Sequence, residues 1–131
     1  MKRPTWIEEE DVLALHERLL ALHGGAPGIR DRGLLQSALA RPRQHFAYDA
    51  QPNLINLAAV YTVGIVKNHP FLDGNKRTGF VVGVMFLELN GYRFIASEEE
   101  AAQAVLSVAA GKMREEAYTA FLRANVARIR K

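Results

Sequence analysis

The chain has 131 residues, of which 49% are hydrophobic and 24% are charged, a balance that is ordinary for a folded globular protein. At this length we expect one domain, residues 1–131, and no second independent core. The sequence contains no cysteine, which excludes disulfides and thiolate metal sites and permits a reducing compartment. A net charge of +3 gives little support for direct nucleic-acid binding.

The apolar segments of the sequence are too short to cross a membrane. LINLAAVYTVGIV and FVVGVMFLEL both fall short of the roughly 20 residues that a span needs. The start, MKRPTWIEEED, has no apolar run after its basic residues and does not have the pattern of a secretory signal. We therefore expect a cytoplasmic protein with no membrane contact.

The N-terminal half predicts two amphipathic helices and an exposed segment. Thr5 and Glu8 have the spacing of a capping box, and apolar residues at helical intervals follow until Gly24. The segment GGAPGIRDRG predicts a loop, after which Asp31 can cap a short second helix that Pro42 stops. RPRQHFAYDAQP then shows no helical period, so it predicts a loop or short hairpin.

The C-terminal half predicts two buried central helices and two peripheral ones. Apolar residues fall on nearly every face from Asn53 to Asn68 and from Asn75 to Asn90, and Gly91 follows as a stop signal. YRFIA favours a short strand, and Ser97 with Glu100 forms a capping box for another helix. A final helix is expected from apolar residues at helical spacing, which are Tyr118, Phe121, Leu122, Val126 and Ile129. The sequence therefore predicts an all-α bundle of about six helices.

The segment between the two central helices, NHPFLDGNKRTGF, is highly charged. A helix that begins near Asn75 leaves several backbone N–H groups unpaired at the positive end of its dipole, which makes an anion site. Gly74 allows a ligand to approach the backbone closely. Lys76 and Arg77 lie in the first helical turn, where cations are unfavourable unless a bound anion offsets them.

Two more side chains of this segment suggest chemistry. Asp73 offers a carboxylate for Mg²⁺, an ion that proteins often hold with one or two carboxylates and substrate phosphates. His69 offers a base that can take a proton near neutral pH. With the anion site, these residues suit transfer of a phosphate-containing group to a hydroxyl. The alternative is an ordinary helix start in which Asp73 or Asn75 is the N-cap and the cations are merely exposed.

Other polar side chains are interpreted as structural. His16 and His23 lie on the first helix, where surface positions are expected, and His23 can interact favourably with the helix C-terminus. Arg30 and Arg32 are interpreted as solvated surface, and contact with a nucleotide or a partner is the alternative. His45 lies in the expected hairpin, where loop packing is the simpler interpretation and substrate contact is the alternative.

HPFLDGNKR resembles the signature of the Fic superfamily, H-x-F-x-D/E-G-N-G-R-x-x-R. Lys76 replaces the signature glycine and Phe80 takes the place of its final arginine, and both departures are typical of the Doc (death-on-curing) branch. ALHGGAPGIRDRGLLQSALARP, QHFAYD and NGYRF also resemble that branch, so the similarity covers nearly the whole chain. The signature is matched at His69, Phe71, Asp73, Gly74, Asn75 and Arg77.

The resemblance implies the small all-α Fic fold, with a flap from Arg41 to Ala50 over the site. Within the motif it implies a catalytic set of His69, Asp73, Lys76 and Arg77. The implied roles are a general base at His69, a Mg²⁺ ligand at Asp73, an apolar anchor at Phe71, and nucleotide-phosphate contacts at Gly74, Asn75, Lys76 and Arg77.

Doc-type members are kinases that phosphorylate a threonine of elongation factor Tu with ATP, whereas most Fic enzymes transfer AMP. Lys76 favours the kinase activity, so the resemblance implies an ATP- and Mg²⁺-dependent toxin of a type II toxin–antitoxin module that arrests translation. AMP transfer and a non-catalytic binding module stay open as alternatives, and the small net charge disfavours an RNA-cleaving toxin. The sequence has no inhibitory S/T-x-x-x-E-G/N segment, which agrees with a separate antitoxin whose helical segment binds in a groove.

Overall fold

The computed structural model describes residues 3–129. This range contains six helices and one two-stranded antiparallel sheet. The helices are α1 (Glu9–His23), α2 (Arg32–Tyr48), α3 (Leu54–Asn68), α4 (Asn75–Leu89), α5 (Glu98–Ala109) and α6 (Glu115–Ala124), and the strands are β1 (Tyr92–Phe94) and β2 (Val126–Arg128). The predicted helical class and the number of helices are confirmed. Within residues 3–129, no helix is long and apolar enough to cross a membrane.

The central helix of the bundle is α3. Every residue from Leu57 to Val66 is buried, because apolar side chains cover all faces of this helix and α2, α4, α5 and α6 pack around it. Asn53 caps its N-terminus, where its side-chain oxygen accepts the N–H groups of Ile55 and Asn56 at 2.9 and 3.1 Å. The predicted buried helix in this region is confirmed.

Helix α4 packs closely against α3 at two glycines. An added Cβ would lie 3.0 Å from a Val66 methyl group at Gly79 and 3.1 Å from the Ala58 carbonyl oxygen at Gly83. The Thr62 hydroxyl donates a hydrogen bond across this contact to the Gly79 carbonyl oxygen at 2.8 Å. The contact therefore fixes the end of α3 relative to the start of α4, and with them the two ends of the charged segment.

Helix α2 does not stop at Pro42 as predicted. It continues to Tyr48, so the loop or flap expected from Arg41 to Ala50 is wrong. A proline inside a helix costs about 3 kcal/mol, chiefly through a lost hydrogen bond and a steric clash. Phe46, one turn further on, packs its ring 5.7 Å from the ring of Trp6 and extends the apolar face of the helix. That face outweighs the local cost, because Pro42 is itself buried on it together with Leu35, Ala38 and Leu39.

The first helix begins three residues later than predicted, because its N-cap is Glu8 and not Thr5. Thr5 is not the cap, because its N–H donates to the side-chain oxygen of Asn90 at 2.8 Å. Glu8 is the N-cap instead, and it donates its N–H to the Asp11 carboxylate at 2.9 Å, so the capping box lies three residues further along the chain than predicted.

The last helix is shorter than predicted. It ends at Ala124, and Val126 pairs with Phe94 in the sheet. The Asn125 side chain donates to the Phe121 carbonyl at 2.8 Å and so satisfies an acceptor that the ending helix leaves open. The strand expected in YRFIA and the capping box of Ser97 with Glu100 are both confirmed, as is the Asp31 cap of α2.

Candidate active site

The charged segment forms a loop, residues 69–74, between α3 and α4; we call it the motif loop. Phe71 is fully buried at its centre and anchors it to the core, as predicted. The Asn75 side chain, 3% exposed, accepts the Phe71 N–H and donates to the Phe71 carbonyl, both at 2.9 Å. Asn75 therefore holds the shape of the loop, and its contact with a phosphate stays a prediction.

The start of α4 is a helix N-terminus without a side-chain cap. Gly74 is the N-cap and adopts a φ of 80°, a left-handed conformation that glycine adopts without steric cost. Lys76 and Arg77 are exposed in the first turn, which contains no acidic residue. The N-cap expected at Asp73 or Asn75 in the alternative interpretation is therefore wrong. Unpaired N–H groups with two exposed cations form a surface suited to an anion.

The Asp73 carboxylate is exposed but held by two backbone N–H groups. One oxygen accepts from Ala26 at 3.1 Å and the other from Gly74 at 2.8 Å. These bonds, that from Ala26 foremost, hold the pKa of Asp73 below its ordinary value of 3.8, and the side chains of His16 and Lys76 act in the same direction. Asp73 is thus an anion at neutral pH.

The Asp73 carboxylate suits a Mg²⁺ ion that is shared with substrate phosphates. Each of its oxygens can accept more than the single hydrogen bond it has, so coordination capacity is left on the solvent side. Residues 3–129 contain no group of three or more His, Asp or Glu side chains that could hold a metal ion alone. Asp73 alone is therefore suited to a metal site whose remaining ligands come from the substrate.

His69 lies at the C-terminus of α3 in an uncommon backbone conformation. With φ 53° and ψ 54° it is the one residue other than glycine with a positive φ among residues 3–129. Its N–H donates to the Ile65 carbonyl at 3.1 Å, and the residue is exposed. The structure thus leaves this histidine accessible to an incoming hydroxyl group.

The loop between α1 and α2, residues 24–31, packs against the motif loop. Ile29 pairs with Phe71 in an isolated antiparallel bridge, and the Leu72 N–H donates to the Gly28 carbonyl at 3.1 Å. Together with the bond from Ala26 to Asp73, these contacts hold the loop of residues 24–31 against the motif loop. The chain segment beside the site is therefore this glycine-rich loop, and the predicted segment after Arg41 belongs to α2 instead.

Arg30 lies at the surface, as expected, but it also contacts the motif loop. Although the residue is exposed, its guanidinium donates to the carbonyl oxygens of His69 at 2.7 Å and Asn68 at 2.9 Å. Arg32, by contrast, is exposed and pairs with Glu9 at 2.8 Å. Only the first of the two arginines contacts the motif loop.

The interpretation of His16 as a surface residue is wrong. It is 4% exposed and stacks on Phe71, with ring centroids 3.8 Å apart and planes 10° apart. Its Nε2 lies 2.8 Å from the Asp73 carbonyl oxygen, which requires this nitrogen to carry the proton. The spacing from Val12, one helical turn earlier and fully buried, is the signal in the sequence that places His16 on the inner face. His23 is exposed, as expected.

An apolar groove of about 680 Å³ lies beside the first turns of α4. Lys76 and Arg77 contribute to its lining, whereas His69 and Asp73 do not. Its apolar walls come from α1, α4, α5 and the end of β1, and include Leu19, Val81, Val84, Phe94, Val105 and Leu106. The groove is therefore continuous with the exposed cations at the start of α4 but separate from His69 and Asp73.

Comparison with known proteins identifies the family. The model of the Fic/DOC family matches residues 6–87, which contain α1, α2, α3, the motif loop and most of α4. The chain belongs to the Fic/DOC family. It is similar to "Protein kinase doc" of Escherichia phage P1, with 33% identity over 93 residues, 71% of this chain and 74% of that protein.

A second relative in the Fic/DOC family is "Toxin Doc" of Mycolicibacterium smegmatis. It is 37% identical over 92 residues, which are 70% of this chain and 68% of that protein. The resemblance to the Doc branch that the motif loop indicates is thus confirmed along most of the chain.

Proposed function

We propose that this Fic/DOC protein is the toxin of a type II toxin–antitoxin module and acts as an ATP-dependent protein kinase. In this proposal it transfers the γ-phosphoryl group of ATP to a threonine or serine hydroxyl of a translation protein, with elongation factor Tu as the first candidate. The names of the relatives, one a protein kinase and one a toxin, support both parts. We further propose that the chain is one domain that acts in the cytoplasm without binding nucleic acid or membrane.

The observation that carries the proposal is the start of α4. Its N–H groups have no side-chain cap, and Lys76 and Arg77 are exposed in a turn that contains no acid. The fixed Asp73 anion precedes this turn, and the exposed His69 lies at the other end of the same loop. Cations at the positive end of a helix dipole are unfavourable by themselves, and a polyphosphate would offset that cost.

In the proposed reaction, the His69 imidazole takes the proton from the target hydroxyl. The hydroxyl oxygen forms a bond to the γ-phosphorus of ATP, the bond from that phosphorus to the β–γ bridging oxygen breaks, and ADP leaves with the electron pair. Lys76 and Arg77 stabilise the negative charge on the phosphoryl oxygens during transfer.

The other motif residues bind and orient the nucleotide. Asp73 would hold Mg²⁺, which supplies charge neutralisation at the phosphates when it is bound. Gly74 lets the phosphates approach the backbone N–H groups at the start of α4. Asn75 keeps Phe71 and the loop in place, in addition to its predicted phosphate contact.

Lys76 is the reason for proposing phosphoryl transfer over AMP transfer. A glycine at this position would let phosphates lie against the backbone, whereas the lysine side chain takes up that space and adds a positive charge beside the transferred group. The remaining matches to the Fic signature favour AMP transfer as the second candidate.

We also propose that the antitoxin binds in the apolar groove beside α4. An amphipathic helical segment would bury its apolar face against Leu19, Val84 and Phe94, and its acidic residues would face Lys76 and Arg77. Because these cations also belong to the proposed phosphate site, the antitoxin and the nucleotide would compete.

The proposal is tested by incubating the protein with cell extract and ATP labelled on either the α or the γ phosphate. The wild type should transfer the γ label to a protein and leave the α label on the nucleotide. His69→Ala should lose this transfer, because the target hydroxyl then has no base. His45→Ala is the matched control, because His45 lies in the last turn of α2 and pairs with Asp49.

Expression without the antitoxin gives the cellular form of the same test. Growth should stop with the wild type and His45→Ala, and should continue with His69→Ala. Transfer of the α label would show that the protein is an AMP transferase and not a kinase. The absence of any labelled protein would favour a non-catalytic binding module. Equal toxicity of a correctly folded His69→Ala variant would remove His69 as the base.

A further inference from the structure

The backbone of His69 needs support from outside its own helix. The residue turns left-handed at the end of α3, a conformation that side chains other than glycine rarely adopt. At this point the last carbonyl groups of α3 have no partner within the helix. An exposed histidine with an uncommon backbone conformation and open acceptors keeps a defined position only when neighbouring groups hold it.

Arg30 satisfies three consecutive carbonyl groups at this point. Its Nη2 donates to the Asn68 oxygen at 2.9 Å, and its Nε donates to the His69 oxygen at 2.7 Å. Its backbone N–H donates to the next carbonyl along the chain, that of Pro70, at 2.7 Å. The Asp31 N–H reaches the Pro70 oxygen as well, at 2.9 Å. The segment on both sides of the His69 side chain is thus tied to one residue of the loop between α1 and α2.

We propose that Arg30 is a positioning residue that holds His69 in the orientation from which it acts as the base. The inference rests on the proposed function in two respects, the role of His69 as the base and the binding of ATP at the start of α4. Arg30 does not touch the substrate in this account; it acts through the two carbonyl groups that its guanidinium binds.

The chemistry of the arginine side chain suits this role. A guanidinium is a planar fork of donors that can reach two neighbouring carbonyls at once, whereas an ammonium group is a single point charge on a flexible stem. Its positive charge also lies at the negative end of the α3 dipole, where cations are favourable. A lysine would keep the charge and lose the fork, so the two properties can be separated by mutation.

The role predicts which kinetic constant depends on Arg30. Misplacement of a catalytic group by about 1 Å can lower a rate by roughly 100-fold even when the mutation lies outside the chemistry. The nucleotide is held by the start of α4, which Arg30 does not contact. Loss of the guanidinium should therefore lower kcat and leave KM for ATP nearly unchanged.

The experiment compares Arg30→Ala, Arg30→Lys and Arg30→Gln with the control Arg32→Ala. Arg32 is a nearby exposed arginine whose partner is Glu9, so the control removes the same charge without touching the motif loop. All Arg30 variants keep the backbone bond to Pro70, and the glutamine variant can still reach one of the two carbonyls. Circular dichroism confirms that each variant is folded before it is assayed.

In the transfer assay we expect kcat to fall at least about tenfold in Arg30→Ala and Arg30→Lys, and less in Arg30→Gln. Low-millimolar guanidinium ion should restore part of the lost rate to Arg30→Ala and none to His69→Ala. Unchanged kcat in Arg30→Ala, an equal loss in Arg32→Ala, or full activity in Arg30→Lys would each overturn the inference.

Backbone NMR shifts of His69 provide a readout that needs no enzymatic activity. They should change in Arg30→Ala and Arg30→Lys and stay as in the wild type in Arg32→Ala. If the wild type modifies no protein, the proposed function fails while the shifts still decide whether Arg30 positions His69. Unchanged shifts in Arg30→Ala would overturn the positioning role, whatever the activity.

Discussion

Replacement of Gly83 by alanine tests whether the close contact between α3 and α4 supports the fold. The added methyl group would overlap the Thr62 hydroxyl and lie 3.1 Å from the Ala58 carbonyl oxygen. The Thr62 side chain would have to turn away, which breaks its bond to Gly79. The substitution therefore affects packing and a buried hydrogen bond together.

The expected loss of stability follows from three contributions. Overpacking of a well-packed core typically costs about 1–3 kcal/mol, and the lost hydrogen bond adds about 1 kcal/mol. Alanine gains about 1 kcal/mol over glycine in a helix, which offsets the hydrogen bond. We expect Gly83→Ala to lower the free energy of unfolding by about 1–3 kcal/mol, and the Tm by roughly 3–10 °C for a chain of this length.

Urea and thermal unfolding followed by circular dichroism measure the effect. Gly33→Ala is the control, because Gly33 is also helical but its Cβ would meet only the exposed Asp31 carboxylate, at 3.3 Å; this variant should keep or raise the free energy of unfolding, by up to about 1 kcal/mol. Thr62→Ala removes the overlap and already lacks the hydrogen bond, so the double variant with Gly83→Ala should lose less than the sum of the single variants, by ~1 kcal/mol for the bond counted twice and by more as the overlap is relieved. Wild-type stability of Gly83→Ala, or strictly additive losses, would refute the reasoning.

Three further predictions concern the motif loop and its neighbours in α1 and α4. His16→Phe keeps a ring on Phe71 but removes the hydrogen bond to the Asp73 carbonyl, whereas His16→Gln keeps a donor. The phenylalanine variant should therefore have the lower kcat, and equal rates in the two variants would show that the hydrogen bond has no role in catalysis. Asp73→Ala should abolish Mg²⁺-dependent ATP binding in calorimetry and speed the hydrogen exchange of the Ala26 amide. Unchanged affinity for ATP together with faster exchange at Ala26 would assign Asp73 a structural role alone. Lys76→Gly should lose transfer of the γ label and gain weak transfer of the α label, and retention of the γ activity would show that Lys76 does not select the reaction.

The central helices and the motif loop could be predicted because their signals are local. The apolar faces of α3 and α4, and the glycine that precedes the first turn of α4, lie within a few residues of the structures they determine. The course of α2 could not be predicted in this way. The local signal, Pro42, predicts that the helix ends there. The helix continues because one of its faces is buried against residues distant in sequence, such as Trp6.

The contacts that His16 and Arg30 make with the motif loop could not be predicted from the sequence. His16 contacts Asp73 across 57 positions and Arg30 contacts His69 across 39, and neither pair has a local pattern. Arg30 lies in an exposed loop, and the spacing of His16 from Val12 indicates burial but not a partner. Their roles follow from the packing of α1 and of the loop between α1 and α2 against the motif loop, which the sequence leaves open.

Mass spectrometry of the protein that becomes modified in extract is the most direct test of the kinase mechanism. The account predicts a phosphoryl group on a threonine or serine of a translation protein when the wild type acts with ATP, and no modification with His69→Ala. An AMP adduct on the same hydroxyl would contradict the account, because Lys76 would then accommodate the nucleotide in the orientation that exposes its α phosphate.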